Sequence, residues 1–107
     1  MLSKNNRFPP LEIKTKKEVF DNAKNWQSAR ATIQKNAYRK YFKSDLPKIC
    51  VVCFYNKIIH VAHIKDVSSF SDETLISVIN SLDNLTALCP NHHWEFDKGL
   101  IKLSDFA

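Results

Sequence analysis

Cys50-Val-Val-Cys53 and Cys89-Pro-Asn-His92 are the two stretches best suited to hold a metal ion. In each, a two-residue spacer lets both donors curl around one ion. Together they offer three thiolates and one imidazole, a complete tetrahedral zinc set. Two other uses of these residues stand beside it. Cys50 and Cys53 are also the pattern of a redox pair, and three cysteines can be buried simply as small apolar groups. The redox use wants a βαβ setting, which the flanking sequence does not supply. The chain has three cysteines, so they cannot all pair internally. In a reducing compartment a Cys-x-x-Cys serves metal or redox chemistry more often than a structural disulfide.

His92 is followed directly by His93. Adjacent side chains leave a helix or strand in different directions, so the two cannot easily do the same job. If His92 completes the zinc set, His93 is free for other chemistry. His60 and His63 raise the opposite question, because their spacing resembles a ligand pair. On a strand, residues three apart point to opposite faces, which makes His60 a half-exposed strand histidine rather than a partner of His63.

The elements that must position these groups follow from local signals. Thr15-Lys-Lys-Glu18 reads as a capping box opening a helix with Val19, Phe20, Ala23 and Trp26 on its apolar stripe. Asn25 is placed to cap a second helix, or the first runs on. Ala29, Ile33 and Ala37 keep the helical period to about Phe42. Pro47 ends it, since the residue before proline is pushed from helical angles. Trp26 is expected to pack this region onto the rest. Residues 48–55 and 58–64 are β-prone and flank Asn56-Lys57, which predicts a hairpin. Val67 to Phe70 reads as a loop. Ser71-Asp72 is expected to cap a short helix through about Asn80, and Leu82 to Leu88 to form a loop and short strand. Pro90 suits a helix start and Gly99 a C′ position, with Trp94 and Phe96 docking that helix and Glu95 solvated. Residues 100–103 are expected to form a short closing strand, and residues 1–14 an extended arm broken by Pro9 and Pro10.

At 107 residues this is one domain's worth of chain, small enough for a metal to help hold it together. Its net charge of +5 is uneven. Residues 1–48 carry twelve Lys/Arg against four Asp/Glu, and residues 49–107 carry four against seven. A basic half joined to a mildly acidic one suggests a footprint for a polyanion, with nucleic acid the leading candidate. A merely solvated basic helix is the plainer explanation of the same charges. The start MLSKNNRFPP has no apolar signal-peptide region, and no apolar run approaches a membrane-spanning length. The expected location is therefore cytoplasmic.

Between the two metal half-sites lie His63 and Asn84, and His93 follows them. Over about residues 48–103, with "CVVC", "HVAHI", "DNLTALC" and "PNHHWEFDKGLI", the sequence closely resembles the HNH endonuclease family. That resemblance implies an α+β fold. A ββα-metal core at 48–107, stapled by zinc, is preceded by a basic helical extension at 1–47 that packs on it. The basic helices are also similar to those of restriction-type relatives. His63 matches the general base, which takes a proton from the attacking water. Asn84 matches the middle asparagine, which orients the base through backbone contacts or lends an oxygen to the metal. His93 matches the last histidine, a ligand of the catalytic divalent cation, Mg²⁺ or another. The implied reaction is hydrolysis of DNA phosphodiesters to a 5′-phosphate and a 3′-hydroxyl. Arg30, Lys35, Arg39, Lys40 and Lys43 are the expected DNA contacts, and a palindromic target would suggest a homodimer.

Two positions depart from the family pattern. The residue before the general base is often a His or Asp metal ligand, and here it is Ala62. Asp66 and Asp97 are the carboxylates available to replace it. Phe54 stands where the family often has glycine to allow a turn with positive φ. Ala62 keeps open the alternative of a zinc-stabilised DNA-binding module without catalytic activity.

Overall fold

The computed structural model describes residues 10–106. Most of the expected N-terminal arm lies outside them, and Leu11–Ile13 form a 3-10 turn rather than an extended segment. Helix α1, Lys16–Asn22, starts on the expected capping box. The Thr15 hydroxyl accepts from the Glu18 N–H, and the Glu18 carboxylate accepts from the Thr15 N–H at 2.8 Å. Such a cap contributes about 1 kcal/mol. Helix α2, Trp26–Lys43, is separate, with the Asn25 side chain accepting from the Ser28 N–H. Its buried stripe is Ala29, Ile33, Ala37 and Tyr41, four apart and hence on one face. The two alanines let the helix backbone lie close to what it covers. Trp26 is 62 % exposed. It sits in the first turn, ahead of the first buried residue, so it does not dock the helix as expected.

The sheet has two antiparallel strands, β1 (His60–His63) and β2 (Leu85–Leu88), with His60 opposite Leu88 and His63 opposite Leu85. This corrects the expected hairpin. Strand β1 pairs with the segment before the second metal half-site, and residues 50–55 turn back on themselves. The Phe54 N–H donates to the Cys50 carbonyl and the Cys50 N–H to the Tyr55 carbonyl, both at 2.8 Å. Convergence of Cys50 and Cys53 overrides the β propensity of the run, and Val51 N–H to Ala87 O at 3.0 Å ties the turn to β2. Phe54 takes φ 65°. A non-glycine residue therefore adopts the left-handed conformation the turn needs, at a cost of about 1–2 kcal/mol.

Helix α3 is only Ile76–Ile79, shorter than expected, because residues 72–76 are bonded to the start of α1 instead. Lys16 N–H donates to Thr74 O, Lys17 N–H to Asp72 O, and Ile76 N–H to Lys14 O. Helix α4, Pro90–Asp97, has the expected bounds, with Gly99 at φ 74° just beyond it. The closing strand is not formed; a 3-10 turn at Leu103–Phe106 follows. Phe96 packs on the core, but Trp94 is 57 % exposed.

Two buried clusters hold the fold. One joins Ala37 and Tyr41 of α2 to Cys50, both strands and Cys89. The other joins Val19, Ala29 and Ile33 to Val67, Ile76 and Ile79. Each draws on both sides of the charge boundary near residue 48. Gln34 of α2 also donates to the Val61 carbonyl at 2.6 Å, so the helix satisfies a backbone group of β1. No helix among the described residues is long and apolar enough to cross a membrane.

Candidate metal and catalytic site

The ligand atoms of Cys50, Cys53, Cys89 and His92 lie within 4.8 Å of one another. The turn brings Cys50 and Cys53 to one end of the sheet, and β2 delivers Cys89 as the N-cap of α4. The Cys53 and Cys89 sulfurs are 3.9 Å apart, and His92 Nδ1 is 3.5 Å from Cys50 Sγ and 3.3 Å from Cys89 Sγ. Zinc–sulfur bonds of about 2.3 Å at tetrahedral angles separate two sulfurs by about 3.8 Å, so these four residues could hold zinc.

The electrostatics agree. Burial pushes the Cys50 thiol up, but backbone N–H groups of Cys89, Cys53 and Val52 and the His92 ring lower it to about 6. Cys53 goes the other way. The Tyr55 N–H lowers it, but burial and the neighbouring Cys50 and Cys89 sulfurs outweigh that and raise it. One thiolate thus opposes the next, and a cation among them removes the conflict. On the far side of the ring, His92 Nε2 is 3.8 Å from the Glu95 carboxylate. The Nδ1 atom is the one that faces the sulfurs.

His63 stands at the other end of β1. Its Nε2 is 2.6 Å from Oδ1 of Asn80, which is fully buried. The Asn80 Nδ2 donates to the Ile33 carbonyl at 3.0 Å and to Asn36 Oδ1 at 2.8 Å, both on α2. A backbone carbonyl can only accept, so the amide orientation is set. Oδ1 must then accept from His63, which puts the proton on Nε2 and leaves Nδ1 with the free lone pair. Burial holds His63 below the usual imidazole range, and nearby Arg30 acts in the same direction; the Asn80 bond and Asp66 oppose it. Sequence reading missed Asn80 because it looked like the end of a short helix. Its signal is a polar side chain directly after Val78 and Ile79, at the end of a mostly apolar stretch. Changing Asn80 to alanine leaves buried donors and acceptors unpaired and should lower unfolding free energy by about 1–3 kcal/mol, as measured by urea unfolding. An unchanged midpoint would show that the bonds contribute nothing net.

Asn84 braces the chain just beyond His63. Its Oδ1 accepts from the Lys65 N–H at 2.7 Å, and its Nδ2 donates to the carbonyls of Lys65 (3.1 Å) and Ile79 (2.9 Å). All three of these side-chain contacts are to main chain.

His93, one residue after His92, points about 100° round the helix. Its Nδ1 is 2.9 Å from His60 Nδ1, and its Nε2 is 3.5 Å from Asp97 Oδ2. Burial pulls its pKa down, the Asp97 charge pulls it up, and His60 pulls it down. His63, His93, Asp97, Asp66 and Arg30 line one cleft of about 520 Å³. Buried Ala62 is also part of its wall. Arg30 reaches Asp66 at 3.3 Å, with both side chains well exposed, a pair of little energetic weight. The other basic candidates lie elsewhere. Lys35 and Arg39 line a groove beside Leu11, and Arg39, Lys40 and Lys43 another, where Lys40 is 3.6 Å from Glu12.

Comparison with protein-family models matches residues 50–103, half of the chain, to the family described as HNH endonuclease. Neither the curated proteins nor the solved structures contain a match to the chain.

Proposed function

The chain belongs to the HNH endonuclease family, and on that premise we propose that it is a divalent-metal-dependent endonuclease that hydrolyses DNA phosphodiester bonds. The observation that carries the proposal is the meeting of His63 and His93 on one cleft, with the His63 tautomer set by Asn80.

In this reading His63 is the general base. Its Nδ1 takes a proton from the water whose oxygen attacks phosphorus, while Nε2–H stays anchored on Asn80. The new bond is O–P, the broken bond is P–O3′, and the 3′-oxygen leaves to be protonated by solvent. Asn84 keeps Ile64 and Lys65 fixed, so that the base stays in register with the phosphate. His93 would hold a divalent cation, which would supply positive charge to offset that growing on the phosphate and leaving oxygen. Arg30 can release Asp66 to meet a phosphate in the cleft. Lys35, Arg39, Lys40 and Lys43 bear on the backbone of the duplex further out. Zinc at Cys50, Cys53, Cys89 and His92 has a structural part, pinning the 50–55 turn to α4.

Conversion of supercoiled plasmid to nicked or linear DNA in the presence of Mg²⁺ or Mn²⁺, and its loss with chelator, tests the proposal. Ala62, which cannot ligate, favours a second reading as a DNA-binding module. Salt-sensitive binding without nicking under any divalent ion is the outcome that would select it.

The pH profile is a separate check. Only neutral His63 accepts a proton. Its pKa lies below the ordinary 6.5, so the acid limb of cleavage should be centred below 6.5. Stability has the same sign. As pH falls through 6.5 the unfolded imidazole binds a proton that the folded one refuses, so folding weakens until the folded pKa is reached. An acid limb above 6.5 at saturating metal would contradict this environment for the base.

A further inference from the structure

The geometry points to His60 as a second protein ligand of the catalytic cation, in the place Ala62 leaves vacant, in a site that selects Mn²⁺-like transition ions over Mg²⁺. This rests on reading the cleft as a nuclease site. Residues two apart on a strand share a face, so His60 stands on the same side of β1 as Ala62, one repeat upstream. Helix α4 brings His93 to that side. The two Nδ1 atoms lie 2.9 Å apart with the rings at 81°. Metal–imidazole bonds of about 2.1 Å at right angles put two ring nitrogens about 3 Å apart. An N–H···N bond between two neutral rings has the same length, and metal titration tells the two apart.

The surroundings of His93 are compatible with an ion at this place. The Asp97 carboxylate lies 3.5 Å from His93 Nε2, and its negative charge favours a proton on that nitrogen, with the Nδ1 lone pair toward His60. The same arrangement recurs one residue earlier, where Glu95 faces His92 Nε2 and Nδ1 faces the sulfurs. Asp97 is thus a positioning residue here rather than a ligand. Two imidazole nitrogens as the protein donors suit Co²⁺ or Ni²⁺ best, and Mn²⁺, the weakest nitrogen binder of that series, still accepts them more readily than Mg²⁺, which wants oxygen ligands.

The test is Mn²⁺ titration of the zinc-loaded full chain, followed by the electron-paramagnetic signal of free Mn²⁺, because Mn²⁺ competes poorly for thiolates. Wild type should bind one Mn²⁺ per chain, more tightly than Mg²⁺ in competition. His60→Ala and His60→Gln should each weaken Mn²⁺ at least tenfold, and raising Mn²⁺ should restore their cleavage. His60 is exposed, and zinc content with circular dichroism checks that both variants fold. Binding within twofold of wild type in both variants, with loss in His93→Ala, overturns the assignment while the nuclease reading stands. His60-dependent Mn²⁺ binding without any nicking supports the ligand and sinks the nuclease reading. Equal preference for Mg²⁺ and Mn²⁺ overturns the selectivity.

Discussion

His63→Ala should lower the rate of DNA cleavage by about 10²–10⁴-fold, the range for removing a positioned general base, while leaving DNA affinity and zinc content unchanged. The effect is large because Asp66, the carboxylate whose charge acts on His63, is a poor substitute for it. Asp66 shares the cleft, but its carboxylate is held below the usual range. Burial raises it, and the Ser68 hydroxyl and N–H together with Arg30 more than reverse that. So weak a base accepts a proton poorly at neutral pH. The substitution also strips Asn80 of its partner, at a stability cost of about 1–3 kcal/mol. Rates should therefore be compared well below the melting temperature. His63→Gln supplies the control, since its amide can still donate to Asn80 but cannot act as a base near pH 7. Both variants should be equally slow in a plasmid-nicking time course. Wild-type rates in either would remove His63 from the mechanism.

Loss of zinc should have the largest effect on the fold. Cys89→Ala, or prolonged chelation of the wild type, should release one zinc per chain and abolish the cooperative thermal transition. The magnitudes decide this. Zinc held by a set of this kind is worth about 10–16 kcal/mol, as much as or more than the 5–15 kcal/mol net stability of an ordinary domain. The turn at 50–55 has few other ties, mainly Val51 to Ala87 and its own two internal bonds. It also carries Phe54 in a left-handed conformation. Cys89 caps α4 and lies in the main buried cluster, so losing it loosens the helix that carries His93. Metal analysis and circular dichroism through a melt provide the readout. A Cys89→Ala protein that keeps full zinc and melts normally would falsify the ligand assignment.

Much of the local structure was readable from residue types. Thr15 with Glu18, Asn25 before Trp26, and Pro90 with Gly99 each marked a helix end that the structure has. Those signals work because a cap is a contact between near neighbours, complete within one turn of chain. The four candidate metal donors, which the structure brings together, were readable for the same reason, since each pair closes over two intervening residues. Other readings failed where the deciding contact was distant. The β-prone run at 48–55 looked like the partner of 58–64, but β1 pairs with 85–88. Propensity names a strand and not its partner. His60 was weighed against His63, three residues off, when the contact that matters comes from α4.

What the sequence alone determined is therefore the donor chemistry: a three-cysteine, one-histidine metal set, the family, and a basic N-terminal half. Those depend on which side chains exist and on short spacings. What only the tertiary structure decided is how the histidines are set. Asn80 fixes the His63 tautomer from seventeen residues away, and α2 fixes Asn80 in turn. His60, on β1, meets His93 from thirty-three residues away. An imidazole's proton goes to whichever nitrogen meets an acceptor, and that acceptor is chosen by packing, not by the residues beside it in the chain.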